Sequence, residues 1–354
     1  MDRGSRQDRV VGAVVGSAVG DALGAPFEFG PAGVYSARFP PGGVHRGAMC
    51  GGGGWDPGEA TDDTQMAVLV GESLLERGGL DLADIFERFR TWAAGEPKDI
   101  GLQTESVLTS GDPWDLAAAL HYQVNGRAAG NGSLMRASTS AVRFARPRTP
   151  EPPAGAHTTG SRAHAESRAR AETMTAARRI AALTHGDPAA WEGTAVLHEL
   201  TRVALGGEDP LAAVPAALAE VREGERTRWA TVLAPDWHPG LATEFNGAVW
   251  PCLGTAVWAL RTTRTFETAL AAAIDAGGDT DTVAAVTGIL AGAVYGMHAI
   301  PSRWTEPLHV PLPGFGPRVL RTAELSALAR RLDARGPQNP LGPKCTDKGG
   351  ISAE

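Results

Sequence analysis

Cysteine is scarce. The 354 residues contain three, Cys50, Cys252 and Cys345, and no C-x-x-C pair. An odd count without that spacing excludes a disulfide framework and a thiolate zinc site, and it suits a reducing cytoplasm. Aromatic residues make up only 6% of the chain. That argues against an aromatic-rich, all-β extracellular module and leaves a core built from aliphatic side chains and alanine. Positive charge is not in excess: the formal net charge is −7. A duplex nucleic-acid binder would carry a basic stripe. No stretch reaches ~18 uninterrupted apolar residues, so no membrane span is expected.

Glycine, in contrast, is plentiful, with 45 residues against a usual share of ~7%. The length fits one large domain or two ordinary ones at ~100–200 residues each. Such a chain buries roughly three quarters of its unfolded surface and needs no staples. Residues 1–9 are polar with three arginines, and Val10 to Gly20 is apolar. That start has the outline of a signal peptide. Glycines at 12, 16 and 20, closed by Asp21, instead have the spacing of a helix packed tightly on a neighbour.

Apolar residues recur at helical spacing almost throughout. The pattern predicts helices at roughly 8–24, 62–78, 80–94, 99–110, 113–122, 133–145, 163–185, 188–206, 209–224, 246–262, 266–276, 279–297 and 317–335. No run alternates as a strand would, so the chain reads as all-α. Residues 146–161 are rich in Pro, Gly and Thr and read as a surface loop, and residues 336–354 read as a disordered tail.

Two clusters carry the chemistry. Thr61-Asp62-Asp63-Thr64 and Asp279-Thr280-Asp281-Thr282 each open an apolar helix. N-capping explains one such residue per helix. Two carboxylates on one terminus repel unless a cation neutralises them, and an all-oxygen set suits Mg²⁺ or Mn²⁺ rather than zinc. Three weaker signals accompany them. Gly130-Asn131-Gly132-Ser133 is a glycine turn opening a helix, either a plain turn or a phosphate cradle. His185 lies between two helices, where a histidine also serves as a C-terminal cap. Glu28 follows Pro26 on a loop and on composition alone is an ordinary surface acid. Gly51 to Gly54, just before the first cluster, is either a lid or slack chain.

Read in chain order, GDALGAPFE at 20–28, PGEATDDTQMA at 57–67, GNGSLMR at 130–136, THGDP at 184–188 and GGDTDTVAAVTGILAGAVYG at 277–296 resemble the ADP-ribosylglycohydrolase family. The resemblance implies a compact, orthogonal multi-helix bundle with two Mg²⁺ or Mn²⁺ ions in a cleft, formed by a single domain over residues 8–335. Relative to the family pattern, residues 146–171 look like a loop insertion. The family's metal ligands fall on Thr61, Asp62, Asp63, Asp279, Asp281 and Thr282. Its mobile, metal-proximal glutamate falls on Glu28. Asp63 and Asp281 are expected nearest both metals, with Glu28 as the proton-transfer group. Asn131, Gly132, Ser133, Met135 and His185 are expected to contact substrate, Gly132 and Ser133 through backbone N–H and hydroxyl.

The implied reaction is hydrolysis at C1″ of the distal ribose, releasing ADP-ribose from an ADP-ribosylated protein or small molecule. Arginine-linked substrates are expected, with serine-linked, O-acetyl-linked or nucleic-acid-linked ADP-ribose as alternatives. The default assembly is a monomer. A non-catalytic ADP-ribose binder would have lost an acidic ligand, and none is lost. A two-metal phosphoesterase would carry histidines among its ligands, and neither cluster has one.

Overall fold

The computed structural model describes residues 4–40, 47–146 and 159–334. Among them run sixteen α-helices: α1 (Arg6–Gly24), α2 (Val34–Arg38), α3 (Asp62–Glu76), α4 (Leu82–Ala94), α5 (Leu102–Thr109), α6 (Ala117–Asn125), α7 (Ser138–Phe144) and α8 (Thr159–Ala181). The second half adds α9 (Pro188–Leu205), α10 (Val214–Ala219), α11 (Glu223–Val232), α12 (Val249–Thr262), α13 (Phe266–Ile274), α14 (Thr280–Tyr295), α15 (Ser302–Thr305) and α16 (Thr322–Ala334). The all-α expectation holds apart from one antiparallel hairpin, β1 (His309–Pro311) with β2 (Val319–Arg321), in register Val310 to Leu320. Each strand is three residues long with one buried side chain, Val310 or Leu320. That is too short to show an alternating pattern.

Several boundaries differ from the sequence pattern. The helix expected at 133–145 is a 3-10 turn at Asn131–Ser133 followed by α7. The stretch at 317–335 begins as β2 before α16. Residues 159–171, expected to belong to a loop insertion, are part of α8, where Arg170 reaches Glu199 on α9. Residues 147–158 of the expected loop, and the tail at 336–354, lie outside the described residues.

The organising contact is between α1 and α14, which run antiparallel. A methyl group on Gly12, Gly16, Gly20 or Gly24 would run into the carbonyl oxygen of Gly292, Gly288, Ala284 or Thr280 in turn. The glycine spacing therefore lets two backbones touch over a little more than three turns. By length and composition this first helix could cross a membrane, contrary to the sequence expectation, which counted only uninterrupted apolar runs. Within the fold, 94% of that stretch is buried, so it serves as the core helix. The pairing also sets the position of the site. The C-terminal end of α1 meets the first turn of α14, where the Thr280 hydroxyl donates to Gly24 O at 2.9 Å. Chain leaving α1 must therefore pass the start of α14.

Candidate active site

Three segments meet where α1 ends. The segment after α1 is pinned to the turn before α14 by Phe29 N–H to Gly278 O (2.6 Å) and Gly278 N–H to Gly30 O (2.9 Å). The start of α3 is held by Asp21, in the last turns of α1. Its carboxylate accepts from Thr61 N–H at 3.0 Å and Thr64 N–H at 3.1 Å, and from the Thr64 hydroxyl. The Thr61 side chain accepts from Asp63 N–H at 3.3 Å. Thr61 and Asp21 thus supply the caps that α3 needs. Asp62 and Asp63 are not needed as caps, and Asp279, at the cap position of α14, makes no side-chain capping bond. Capping does not account for these acids.

The two clusters face each other, with the Thr282 hydroxyl 3.5 Å from Asp63 Oδ1. Glu28, Asp99 and Asp281 each offer a carboxylate oxygen within 4.8 Å of the others. Asp62, Asp63 and Asp281 are buried. Their pKa values are pushed well above the usual carboxylate range, first by burial and then by neighbouring acids. Burial, then the charges of Asp99, Asp279 and Asp21, raise Glu28 to about 8. Asp21 rises only to about 6, because hydrogen bonds from Thr64 and Thr61 oppose its burial. Asp63 Oδ2, Asp279 Oδ1 and Asp281 Oδ1 are buried without a hydrogen-bond partner. Orphaned oxygens among mutually repelling carboxylates are the donor set of a hard divalent cation. The residues present fit the two-ion group that the family resemblance implies.

The remaining expected residues divide. Asn131 joins the cluster: its Nδ2 donates to Asp279 Oδ2 at 2.8 Å and to Asn246 O at 3.2 Å. Gly132 packs against His185, since a Cβ there would lie 3.1 Å from Cε1 of the ring. Ser133 departs from expectation. Its hydroxyl accepts from Thr194 at 3.0 Å and donates to Ala190 O at 3.4 Å, both on α9. The hydroxyl therefore fastens the turn to α9. Met135 is packed in the hydrophobic core.

Two participants carry no local signal, and the role of a third shows only in the fold. Asp99 sits in a loop after Lys98 and reaches the site only through packing. Asn246 accepts from Asp279 N–H at 2.9 Å and donates to Gly277 O at 2.8 Å, fixing the turn before α14. Asp21 was legible as the end of α1, but its capping of α3 spans 40 residues.

Two cavities flank the acids. One of about 390 Å³ is lined by Glu28, Gly53, Gly54, Trp55, Lys98 and Asp99. The glycine segment before α3 therefore forms a wall of the site, closed by mutual Gly52 and Trp55 hydrogen bonds. The other, about 690 Å³, includes Gln103, Arg127, Gly130, Arg228, Phe245 and Trp250. Exposed Phe29 and Phe245 stack at 6.2 Å near Gly278. Phe29 holds a left-handed backbone, φ 60°, a strained state that persists where surrounding contacts impose it.

Helical scaffold, orphaned carboxylates and flanking cavities together define an acidic cleft. A family model described as ADP-ribosylglycohydrolase matches residues 2–340. The chain is 31% identical over 308 residues to the ADP-ribosyl-[dinitrogen reductase] glycohydrolase of Rhodospirillum rubrum, covering 86% of this chain and 91% of that one. It is 28% identical over 344 residues to an ADP-ribosylarginine hydrolase of Pseudomonas putida, covering 94% and 79%. A solved structure described as an ADP-ribosylglycohydrolase-related protein complex superposes with a TM-score of 0.70 at 34% identity, over 94% of this chain and 99% of that one. This chain belongs to the ADP-ribosylglycohydrolase family, a family of enzymes that hydrolyse glycosidic bonds.

Proposed function

We propose that this protein hydrolyses the bond between C1″ of the distal ribose and a guanidinium nitrogen of ADP-ribosylated arginine, with two Mg²⁺ or Mn²⁺ ions as cofactors. The observation that carries this reading is the convergence of Glu28 with the orphaned carboxylates of two helix starts, between two cavities. Thr61, Asp62, Asp63, Asp279, Asp281 and Thr282 would hold the ions. When bound, such ions supply Lewis acidity and neutralise the buried acids.

The chain's own groups do the rest. Glu28 is half-buried and holds a proton near neutral pH. It is suited to give that proton to the leaving nitrogen and then to take one from the water that attacks C1″. Asn131 braces Asp279. Arg127 and Arg228 line the larger cavity, and guanidinium groups suit a pyrophosphate. The smaller cavity carries the carboxylates of Glu28 and Asp99, with Lys98 already over the Trp55 ring; the two acids suit a cationic leaving group. The named relatives that act on arginine linkages point the same way. A reducing cytoplasm would suit a chain with three cysteines and no C-x-x-C pair.

The test is a panel of arginine-, serine- and O-acetyl-linked ADP-ribose incubated with Mg²⁺ or Mn²⁺, reading free ADP-ribose. Release from the arginine linkage is expected. Release from the serine linkage alone would move the leaving group. No release from any member would remove the proposal.

A further inference from the structure

Arg136 is wholly buried, with its guanidinium 4.9 Å from the Phe89 ring centre. Its Nη2 donates to Ile180 O at 3.3 Å and to Thr184 Oγ1 at 2.7 Å. A guanidinium only donates, so the Thr184 oxygen accepts here. Thr184 is also fully buried, and the other partner of its hydroxyl among the described residues is His185 Nδ1, at 2.8 Å. The single hydroxyl proton must go to that nitrogen. Were Nδ1 protonated, the buried hydroxyl hydrogen would have no acceptor. Burial, and then the Arg136 charge, hold the His185 pKa well below its usual value, so the ring is neutral and its one proton sits on Nε2.

The ring is fixed from behind as well. Trp191 Nε1 donates to His185 O. Gln103 Nε2 donates to Thr184 O at 3.0 Å and to Ala128 O at 3.1 Å, tying this peptide to the strand of chain before Gly130. Nε2 faces the glycine turn: a Cβ on Gly130 would lie 3.3 Å from it. Gly130 lines the 690 Å³ cavity, and the next residue, Asn131, touches Asp279.

We propose that Arg136 and Thr184 are positioning residues, a hydrogen-bond relay that holds the His185 proton on Nε2 as a donor to an acceptor oxygen of the ADP-ribosyl group at the Gly130 wall. The ligand named here rests on the reading given under Proposed function; the relay itself rests on the hydrogen bonds alone.

Two measurements on full-length, Mg²⁺-supplemented protein test it. The first is the tautomer of His185 in ¹⁵N-histidine-labelled protein, assigned by the signal lost in His185→Gln. Wild type and Thr184→Ser should show Nε2–H, and Thr184→Val should lose that preference. The second is the calorimetric Kd for ADP-ribose, expected to weaken about tenfold in Thr184→Val and to recover in Thr184→Ser, the scale of one lost hydrogen bond. An Nδ1–H signal in wild type overturns the relay whatever the activity. So does a Thr184→Val protein of native circular dichroism with unchanged tautomer, or with unchanged ADP-ribose affinity. Wild-type protein that binds no ADP-ribose overturns the functional reading instead, and with it the ligand assigned to Nε2.

Discussion

Of the regions that bury carboxylates, two treat them in opposite ways. Along α8 and α9, Glu192 and Glu199 are completely buried. Arg178 grips Glu192 with two bonds, at 3.0 and 2.7 Å, and Arg222 stands 3.4 Å away. Glu199 is held by Arg202 at 2.7 and 2.9 Å and by Arg170 at 3.1 Å. In the cleft, Asp62, Asp63 and Asp281 are equally hidden, but the groups that perturb them most after burial are other acids. The first region closes its charges with arginine and is finished as a structure. The second leaves its charges open, and an open set of acids is costly unless something binds. Burial of charge is therefore not what marks the site; missing counter-charge is.

The comparison predicts opposite mutational outcomes. The largest effect lies in the cleft. Chelation by EDTA, Asp63→Asn or Asp281→Asn should each lower turnover by ~10³-fold or more, since Lewis-acid assistance contributes several kcal/mol at ~1.4 kcal/mol per tenfold. The metal-free variants should melt no lower than metal-free wild type, because each removes an unpaired buried acid. Full turnover in a chelated sample shown to be metal-free would sink the contrast.

Glu28→Gln comes next. Loss of a proton-transfer group should reduce kcat by about 10²–10⁴-fold, with ADP-ribose affinity changed far less because the aspartates remain. Wild-type kcat would return Glu28 to the status of a surface acid.

Across the molecule the signs reverse. Glu199→Gln should destabilise by about 3 kcal/mol, as expected when one partner of a buried ion pair is removed, and leave kcat within about twofold of wild type, a change too small to register as a lost catalytic contact. Urea unfolding beside steady-state assays reads both; a strong kcat loss at unchanged stability would blur the two regions into one.

The smallest effect concerns pH. His198, on α9, is buried between Ser140 Oγ at 2.9 Å and Thr194 O at 2.9 Å. Burial lowers its pKa to about 4, with the Thr194 bond opposing. A folded value below the unfolded one gives stability that is fully present above pH ~6.5 and is lost as pH falls toward 4. Between pH 7 and pH 5 that amounts to roughly 2 kcal/mol. His198→Gln should lose correspondingly less stability over the same interval. Equal losses in both proteins would show that His198 does not titrate across folding.

Residue by residue, legibility followed the range of the interaction. The paired acids at 61–63 and 279–282 were visible because each cluster is contiguous and opens an apolar helix. Glycines at 12, 16 and 20 announced close packing because helical spacing alone puts them on one face. Asp99 and Asn246 gave no signal, since each reaches the cluster from a separate loop. The hairpin at 309–321 escaped because two three-residue strands carry one buried residue each. Ser133 misled, because a hydroxyl beside a glycine turn looks free until α9 is packed against it.

By itself, the sequence determined the helical class, the glycine face of α1, the two acidic helix starts and the family. These follow from short-range periodicity and from residue chemistry within a few positions. Tertiary structure alone decided which neighbour each acid would meet. It set α1 against α14, so that Glu28 leaves the first helix beside Asp281. It gave the capping of α3 to Asp21, releasing Asp62 and Asp63 from that task. It also placed arginines beside Glu192 and Glu199 and, among the described residues, paired none with Asp62, Asp63 or Asp281. Coulomb energy depends on distances and dielectric that exist only once the chain is packed, so the same carboxylate chemistry becomes a structural pair in one place and an open site in the other.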